Sequence, residues 1–261
     1  MWLCVSEYVA ATFGRNGVSP SYAQFAVPDS VSDELARYIS VSFLVRTRKQ
    51  SGLLFYLGSD TSVDVSNRTF ITVELSQVGV VSRIKLGEDI QTNVLPGLVA
   101  DGIQHYVSVS LNYSVLQIQL DDVSKLYAVN YSVQLTADLL YVGGMPVKLR
   151  RRRDTSSDTT DQFSGTLQDF RLNGVRLHSF QLNATDEDGT AAPSVELPIN
   201  LVNVDIGEQS DDVCLLQQPC QNNATCHTEF YNRYRSLPII LPCLSHLLDY
   251  KSLLYLFLCV I

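Results

Sequence analysis

Arg150, Arg151, Arg152 and Arg153 follow Lys148 in the one concentrated basic stretch of a chain whose 19 basic and 27 acidic residues leave a net charge of −8. Guanidinium groups pair bidentately with sulfate oxygens, so the run suits a sulfated glycan such as heparan sulfate. Four consecutive arginines also suit a secretory-pathway convertase cutting after Arg153. The plain alternative is a solvated loop, since residues 154–161 beside it are polar and acidic with no apolar periodicity. Asn67, Asn112, Asn130, Asn183 and Asn223 each open an Asn-x-Ser/Thr triplet, which accepts N-linked glycan where it is exposed in the secretory pathway. Chance alone gives roughly two or three such triplets at ordinary composition. Cys214, Cys220 and Cys226 are spaced Cys-x5-Cys-x5-Cys, a spacing suited to a disulfide framework.

Catalytic patterns are missing. The sequence has no Gly-rich phosphate loop, no His-x-Glu-x-x-His and no Gly-x-Ser-x-Gly in a strand–turn–helix setting. His105 falls in phase with Val107, Val109 and Leu111, so a packed, hydrogen-bonded histidine is preferred over a general base. The acidic balance disfavours DNA and RNA as partners. No enzyme is expected.

The elements that carry these residues read as strands. Ile39, Val41, Phe43 and Val45 alternate with Ser40, Ser42 and Arg46, the period-two pattern of a strand with one buried face. The same pattern sets Ile71, Val73 and Leu75 against Thr72 and Glu74, and Leu116, Ile118 and Leu120 against Gln117 and Gln119. Turn signals at Ser51-Gly52, Val78-Gly79, Pro96-Gly97, Asp101-Gly102 and Asn173-Gly174 punctuate the runs, and Leu172-Asn-Gly-Val175 predicts a tight hairpin. Many short strands without helical periodicity mean a β-sandwich or barrel. At 261 residues one large domain and a remnant are expected.

The order of motifs resembles a laminin G-like domain. Ala11-Thr-Phe13 and Ser21-Tyr-Ala-Gln-Phe25 are similar to its opening strands, and residues 39–58 to its most recognisable hairpin. Asp101-Gly-x-x-His105 matches a later turn. Leu140-Tyr-Val-Gly-Gly144, a variable loop, and residues 162–177 then match its closing strands. The resemblance covers residues 11–205 and implies a jelly-roll, concanavalin-like sandwich that binds rather than catalyses. Residues 210–234 resemble the first half of an EGF-like domain, in which Cys214 would pair with Cys226 in the family's first-to-third pattern. The fourth and fifth cysteines do not follow. Residues 235–261 change to a Leu-rich tail whose Cys243 and Cys259 have the wrong spacing. The half-module is therefore expected to be poorly ordered, and the tail to be a gene-model artefact. A membrane anchor is the competing reading of that tail, but its uninterrupted apolar run, residues 252–261, is about half the ~20 residues a spanning helix needs. No signal peptide is visible at the N-terminus.

Two cysteines common in laminin G-like domains are replaced here by Thr166 and Glu208, so a bridge typically adding about 2–4 kcal/mol is expected to be absent. The resemblance also implies calcium as a cofactor, held by carboxylates and carbonyls at the sandwich rim. Asp64 and Asp138 are the candidate ligands, with solvated loop aspartates as the plain alternative. At the family's usual first-carboxylate position stands Asn67-Arg-Thr69. The pairing of modules is similar to the ectodomains of the Crumbs and Eyes shut families. It implies an extracellular protein-interaction or adhesion module, in a cell-polarity setting, joined to the membrane through a longer parent protein. A glycan-binding lectin-like module and an architectural spacer are the alternatives.

Overall fold

The computed structural model describes residues 10–17, 19–59, 68–130, 133–146, 162–177, 198–207, 225–230 and 233–237. The chain divides into two compact units, Met1–Asp211 and Asp212–Ile261. In the first, two antiparallel sheets form a sandwich, one of the two architectures the alternating patterns allow and the one the laminin G resemblance implies.

One sheet has eight strands, numbered along the chain as β1 (Ala10–Phe13), β3 (Tyr38–Arg46), β8 (Gln104–Asn112), β9 (Val115–Leu120), β10 (Val123–Ala128), β12 (Gly165–Leu172), β13 (Val175–Arg176) and β15 (Val204–Ile206). Their order is β10-β9-β8-β3-β12-β1-β15, with β13 paired to β12. The other sheet has β2 (Tyr22–Ala26), β4 (Gly52–Gly58), β5 (Phe70–Ser76), β6 (Gly79–Lys85), β7 (Ile90–Pro96), β11 (Leu139–Val142) and β14 (Asn200–Val202). They run β14-β2-β11-β4-β5-β6-β7. One four-residue helix, α1 (Asp29–Ser32), joins β2 to β3 and lays Val31 into the core.

The core lies between the sheets. Ile39, Val41, Phe43 and Val45 are buried along β3, while Ser40, Ser42, Leu44 and Arg46 between them are half-buried. Phe43 stacks on Phe170 of β12 with centroids 5.1 Å apart, and Phe55 of β4 meets both rings edge-on at 6.2 and 6.0 Å. One aromatic triplet therefore bridges the two sheets. Such geometry adds to simple area burial, by about 0.5–1.5 kcal/mol per pair. The Asn173-Gly174 hairpin forms as predicted, with φ of 48° and 81° at its two turn residues.

Alternation misled at β5. Thr72 and Glu74 were expected on a wet face, yet they are 0% and 1% exposed. In register they lie beside Tyr56 and Leu53 of β4, part of a second apolar cluster with Tyr22, Tyr141 and Met145 on the sheet's other face. A buried carboxylate needs a partner, and Arg83 of the neighbouring β6 places its Nε 3.4 Å from Glu74 Oε2.

In the second unit, β16 (Thr225–Phe230) pairs antiparallel with β17 (Arg233–Leu237). The pairing runs through Arg235 to Leu237 and so crosses the boundary expected after Tyr234. Cys226 lies on β16; Cys214 lies outside the described residues, as do Cys243 and Cys259 in the tail. Among the described residues no helix is long and apolar enough to cross a membrane.

Candidate functional site

The rim suggested for calcium is built where β11 meets β4. Leu139 pairs with Gly58, and Asp138, just before β11, donates its N–H to the Gly58 carbonyl at 3.3 Å while its own carbonyl accepts from Val27 at 3.0 Å. The backbone is thus fixed and the side chain is left exposed. Asp60, Asp64 and Asn67 follow this same end of β4 in the sequence and lie outside the described residues. Ser59, just before that segment, has a buried hydroxyl with no hydrogen-bond partner among the described residues. Thr69, soon after it in the sequence, is used up structurally: its Oγ1 accepts from the Thr136 N–H at 2.9 Å. Calcium takes six to eight oxygens. The described residues bring one carboxylate and one orphaned hydroxyl to this rim, and among them no group of three or more His, Cys, Asp or Glu side chains converges as a metal site.

Arg150, Arg151, Arg152, Arg153, Asn183 and Asn223 also lie outside the described residues. The segment that holds the arginines is bounded by Pro146 and by Gln162, whose carbonyl accepts from Lys49 Nζ at 2.7 Å. Asn112 closes β8 and is exposed; Asn130 is exposed beyond β10, and its N–H donates to Gln91 Oε1 at 3.1 Å.

His105 is held between two carboxylates. Its Nδ1 lies 2.7 Å from Asp121 Oδ2 and its Nε2 lies 3.1 Å from Asp101 Oδ1. Each aspartate is itself fixed: Asp121 accepts from the Tyr106 N–H, and Asp101 from the Ile103 N–H, both at 2.8 Å. Arg48 Nη1 donates to the Asp101 carbonyl at 3.3 Å. With both ring nitrogens engaged, the imidazole ties the turn before β8 to the β9–β10 turn and offers no free nitrogen as a base. The sequence placed His105 in the core but missed Asp121, which follows a buried strand end and has a φ of 51°; only its proximity in the folded sheet reveals the pair.

Burial of the ring lowers the His105 pKa, but the hydrogen bonds and charges of Asp121 and Asp101 outweigh it and raise the value above the usual 6.5. Burial raises that of Asp121, and hydrogen bonds from His105 and the Tyr106 N–H carry it below the usual carboxylate range. A raised histidine stabilises the fold fully below its unfolded pKa and loses that effect as pH rises through the folded one. A depressed aspartate contributes above its unfolded pKa and loses that effect as pH falls through the folded one. The stability difference between wild type and His105→Gln is therefore expected to peak between about pH 4 and 6.5, at about 1–2 kcal/mol because Asp121 is half exposed. Urea titrations from pH 3 to 9 measure it; a difference flat across that range would contradict the charged lock.

The expected absence of a bridge at Thr166 has a structural counterpart. Thr12 of β1 pairs in register with Thr166 of β12, their hydroxyl oxygens are 3.2 Å apart, and Thr12 donates to the Gly207 carbonyl at 3.0 Å. A chain of hydroxyls thus links β12 to the end of β15, next to Glu208. Two such bonds are worth about 1 kcal/mol each, below a typical disulfide. A small surface cleft of about 30 Å³, lined by Lys49, Leu75, Gln77 and Leu98 among others, is large enough only for a molecule of the size of water.

A jelly-roll of two antiparallel sheets with an imidazole used as a clasp defines a β-sandwich of the laminin G class. The laminin G domain model matches residues 45–175, and the chain belongs to the laminin G domain family. Human Crumbs homolog 2 is 31% identical over 85% of this chain and 14% of its own length. Mouse Crumbs homolog 1 is 27% identical over 86% of this chain and 14% of its own. The chain thus spans about one seventh of the relatives it matches. Among solved structures, the mouse laminin α1 LG4-5 domains align with a TM-score of 0.59 at 20% identity, covering 76% of this chain and 46% of that one. The laminin α2 LG1-3 region aligns at 0.56 and 21% identity, covering 80% and 36%. These likenesses establish the fold.

Proposed function

We propose that this chain is an extracellular, non-catalytic interaction module of a larger multidomain cell-surface protein, with a protein ligand. The observation that carries the reading is the laminin G sandwich itself, since laminin G domains are typically adhesion modules that bind extracellular proteins and glycans, and the Crumbs relatives are consistent with an ectodomain. The clasped His105 agrees with it, because the one histidine among the described residues of the sandwich is used for structure. Fold alone does not name the ligand.

A bead-retention experiment separates the readings. The full chain, secreted behind a leader and clustered on beads, is expected to adhere to epithelial cells, and adhesion should survive heparan-sulfate lyase. Loss on lyase treatment, together with loss in Arg150–Arg153→Ala, would instead favour the sulfated-glycan reading. Failure to adhere under any condition would favour an architectural spacer.

Calcium assistance belongs to the same proposal. The orphaned Ser59 hydroxyl and the exposed Asp138 carboxylate at one rim support it, and Asp64 is the second carboxylate. Extracellular modules bind calcium with dissociation constants of about 10⁻⁴–10⁻³ M. At tenfold excess over that constant, linkage stabilises by about 1.4 kcal/mol. Calcium at 10 mM should therefore raise the melting temperature by several degrees, and Asp64→Ala/Asp138→Ala should abolish the shift. An unchanged wild-type melt in EDTA and calcium would remove calcium from the reading.

A further inference from the structure

We infer that Asn112 carries an N-linked glycan whose first sugars lie over an apolar strip on the outer face of the eight-stranded sheet. The inference rests on the extracellular reading above. Asn112-Tyr113-Ser114 forms the tip of the β8–β9 hairpin, where Asn112 pairs with Val115. Leu111 and Leu116 point into the core, so Asn112 and Val115 point outward. Tyr113 has a φ of 50° and its N–H donates to the Arg37 carbonyl at 3.1 Å, which fixes the hairpin tip. Among the described residues no hydrogen bond engages the Asn112 side-chain amide, and the residue is exposed. The acceptor nitrogen is therefore presented to solvent.

Its neighbours give the glycan something to cover. In register, Tyr38 and Val115 flank Asn112 on the same face, and they are 41% and 45% exposed. Leu126 of β10, 64% exposed, lies diagonally beyond Val115, because Ala128 pairs with Val115. Directly opposed side chains sit about 4.5–5.5 Å apart at Cβ. A sugar attached at Asn112 thus falls between two apolar groups, blocks a protein partner from both, and can rest its C–H face on the Tyr38 ring. Apolar side chains gathered at one place on a surface can mark a contact site, and here the sequon sets a covalent occupant among Tyr38, Val115 and Leu126.

The step is a group transfer. Asn112 Nδ2 attacks C1 of the reducing-end N-acetylglucosamine of a lipid-linked oligosaccharide pyrophosphate, as catalysed by the secretory-pathway oligosaccharyltransferase. The new C1–N bond replaces the C1–O bond to pyrophosphate. The lipid pyrophosphate leaves, and one amide proton goes to solvent.

The full chain behind a secretion leader, made in mammalian cells and released with a peptide amidase in ¹⁸O water, tests this by mass spectrometry. Asn112 is expected to convert to ¹⁸O-labelled Asp in most molecules, and both Asn112→Gln and Ser114→Ala should remove one glycan step on a gel. Amidase treatment of the native protein should raise the fluorescence of an apolar dye at least twofold, with the rise lost in Tyr38→Ser/Val115→Ser. An unlabelled Asn112 beside occupied Asn67, Asn130, Asn183 or Asn223 would overturn the inference and leave the extracellular reading standing. A chain with no glycan at any of the five would count against both. Occupancy without a dye response would overturn the covering role.

Discussion

Phe43→Ala is expected to lower the free energy of unfolding by about 3–5 kcal/mol, the range for buried aromatics cut back to a methyl group. Phe43 is 1% exposed at the middle of β3, and β3 is a central strand, paired with β8 on one side and β12 on the other. Its ring stacks on Phe170 and meets Phe55 edge-on, so truncation leaves a cavity walled by stiff neighbours from both sheets. Such walls collapse little, which puts the cost towards the upper end. A domain stability of 5–15 kcal/mol is ordinary, so the variant should stay folded at low temperature while its urea midpoint falls by a large fraction. Phe43→Leu, which keeps most of the volume, should cost clearly less. A midpoint for Phe43→Ala equal to that of wild type would contradict the position of β3 in the core.

How much of this was legible in the sequence depended on which side of a strand carried the information. Along β3 and β9 the interior face is apolar without a break and the exterior carries most of the polar residues, so alternation alone located Phe43 and Ile118 correctly. At β5 it failed, because Thr72 and Glu74 lie on a face that is covered as well, and local pattern cannot see a second layer. The clasp around His105 was half visible. The phase of the strand put His105 inward, but Asp121 is 16 residues away, and only the β8–β9 pairing brings it to the ring. The hydroxyl link from Thr166 through Thr12 to Gly207 was invisible for the same reason: threonine on a strand is unremarkable until its partner strand is known. The rim was less legible still, since Asp138 and Ser59 are brought to the same end of the sheet only by the pairing of β11 with β4.

The Tyr-Val-Gly-Gly motif is where sequence and packing speak most directly to each other, and Gly143→Ala is expected to cost about 2–5 kcal/mol. Two contributions add. Gly143 has a φ of 75°, a left-handed conformation that costs a residue with Cβ about 1–2 kcal/mol. A Cβ built there would also lie 2.2 Å from Cδ1 of the Phe13 ring, and Phe13 is 0% exposed in β1. The ring cannot swing out of a closed core, so either β1 or the end of β11 must shift, at about 1–3 kcal/mol for an overpacked site. Gly174 separates the two contributions. It has a similar φ of 81°, with nothing within 4 Å of a Cβ placed on it, so Gly174→Ala should show the backbone cost alone. Denaturant titration of the two variants should find Gly143→Ala the worse by at least about 1 kcal/mol. Adding Phe13→Leu should recover part of that excess, giving a double variant less damaged than the two single losses summed. Equal losses at Gly143 and Gly174 would mean that the glycine serves the turn alone and that the closeness of Phe13 to the chain at this point carries no energy.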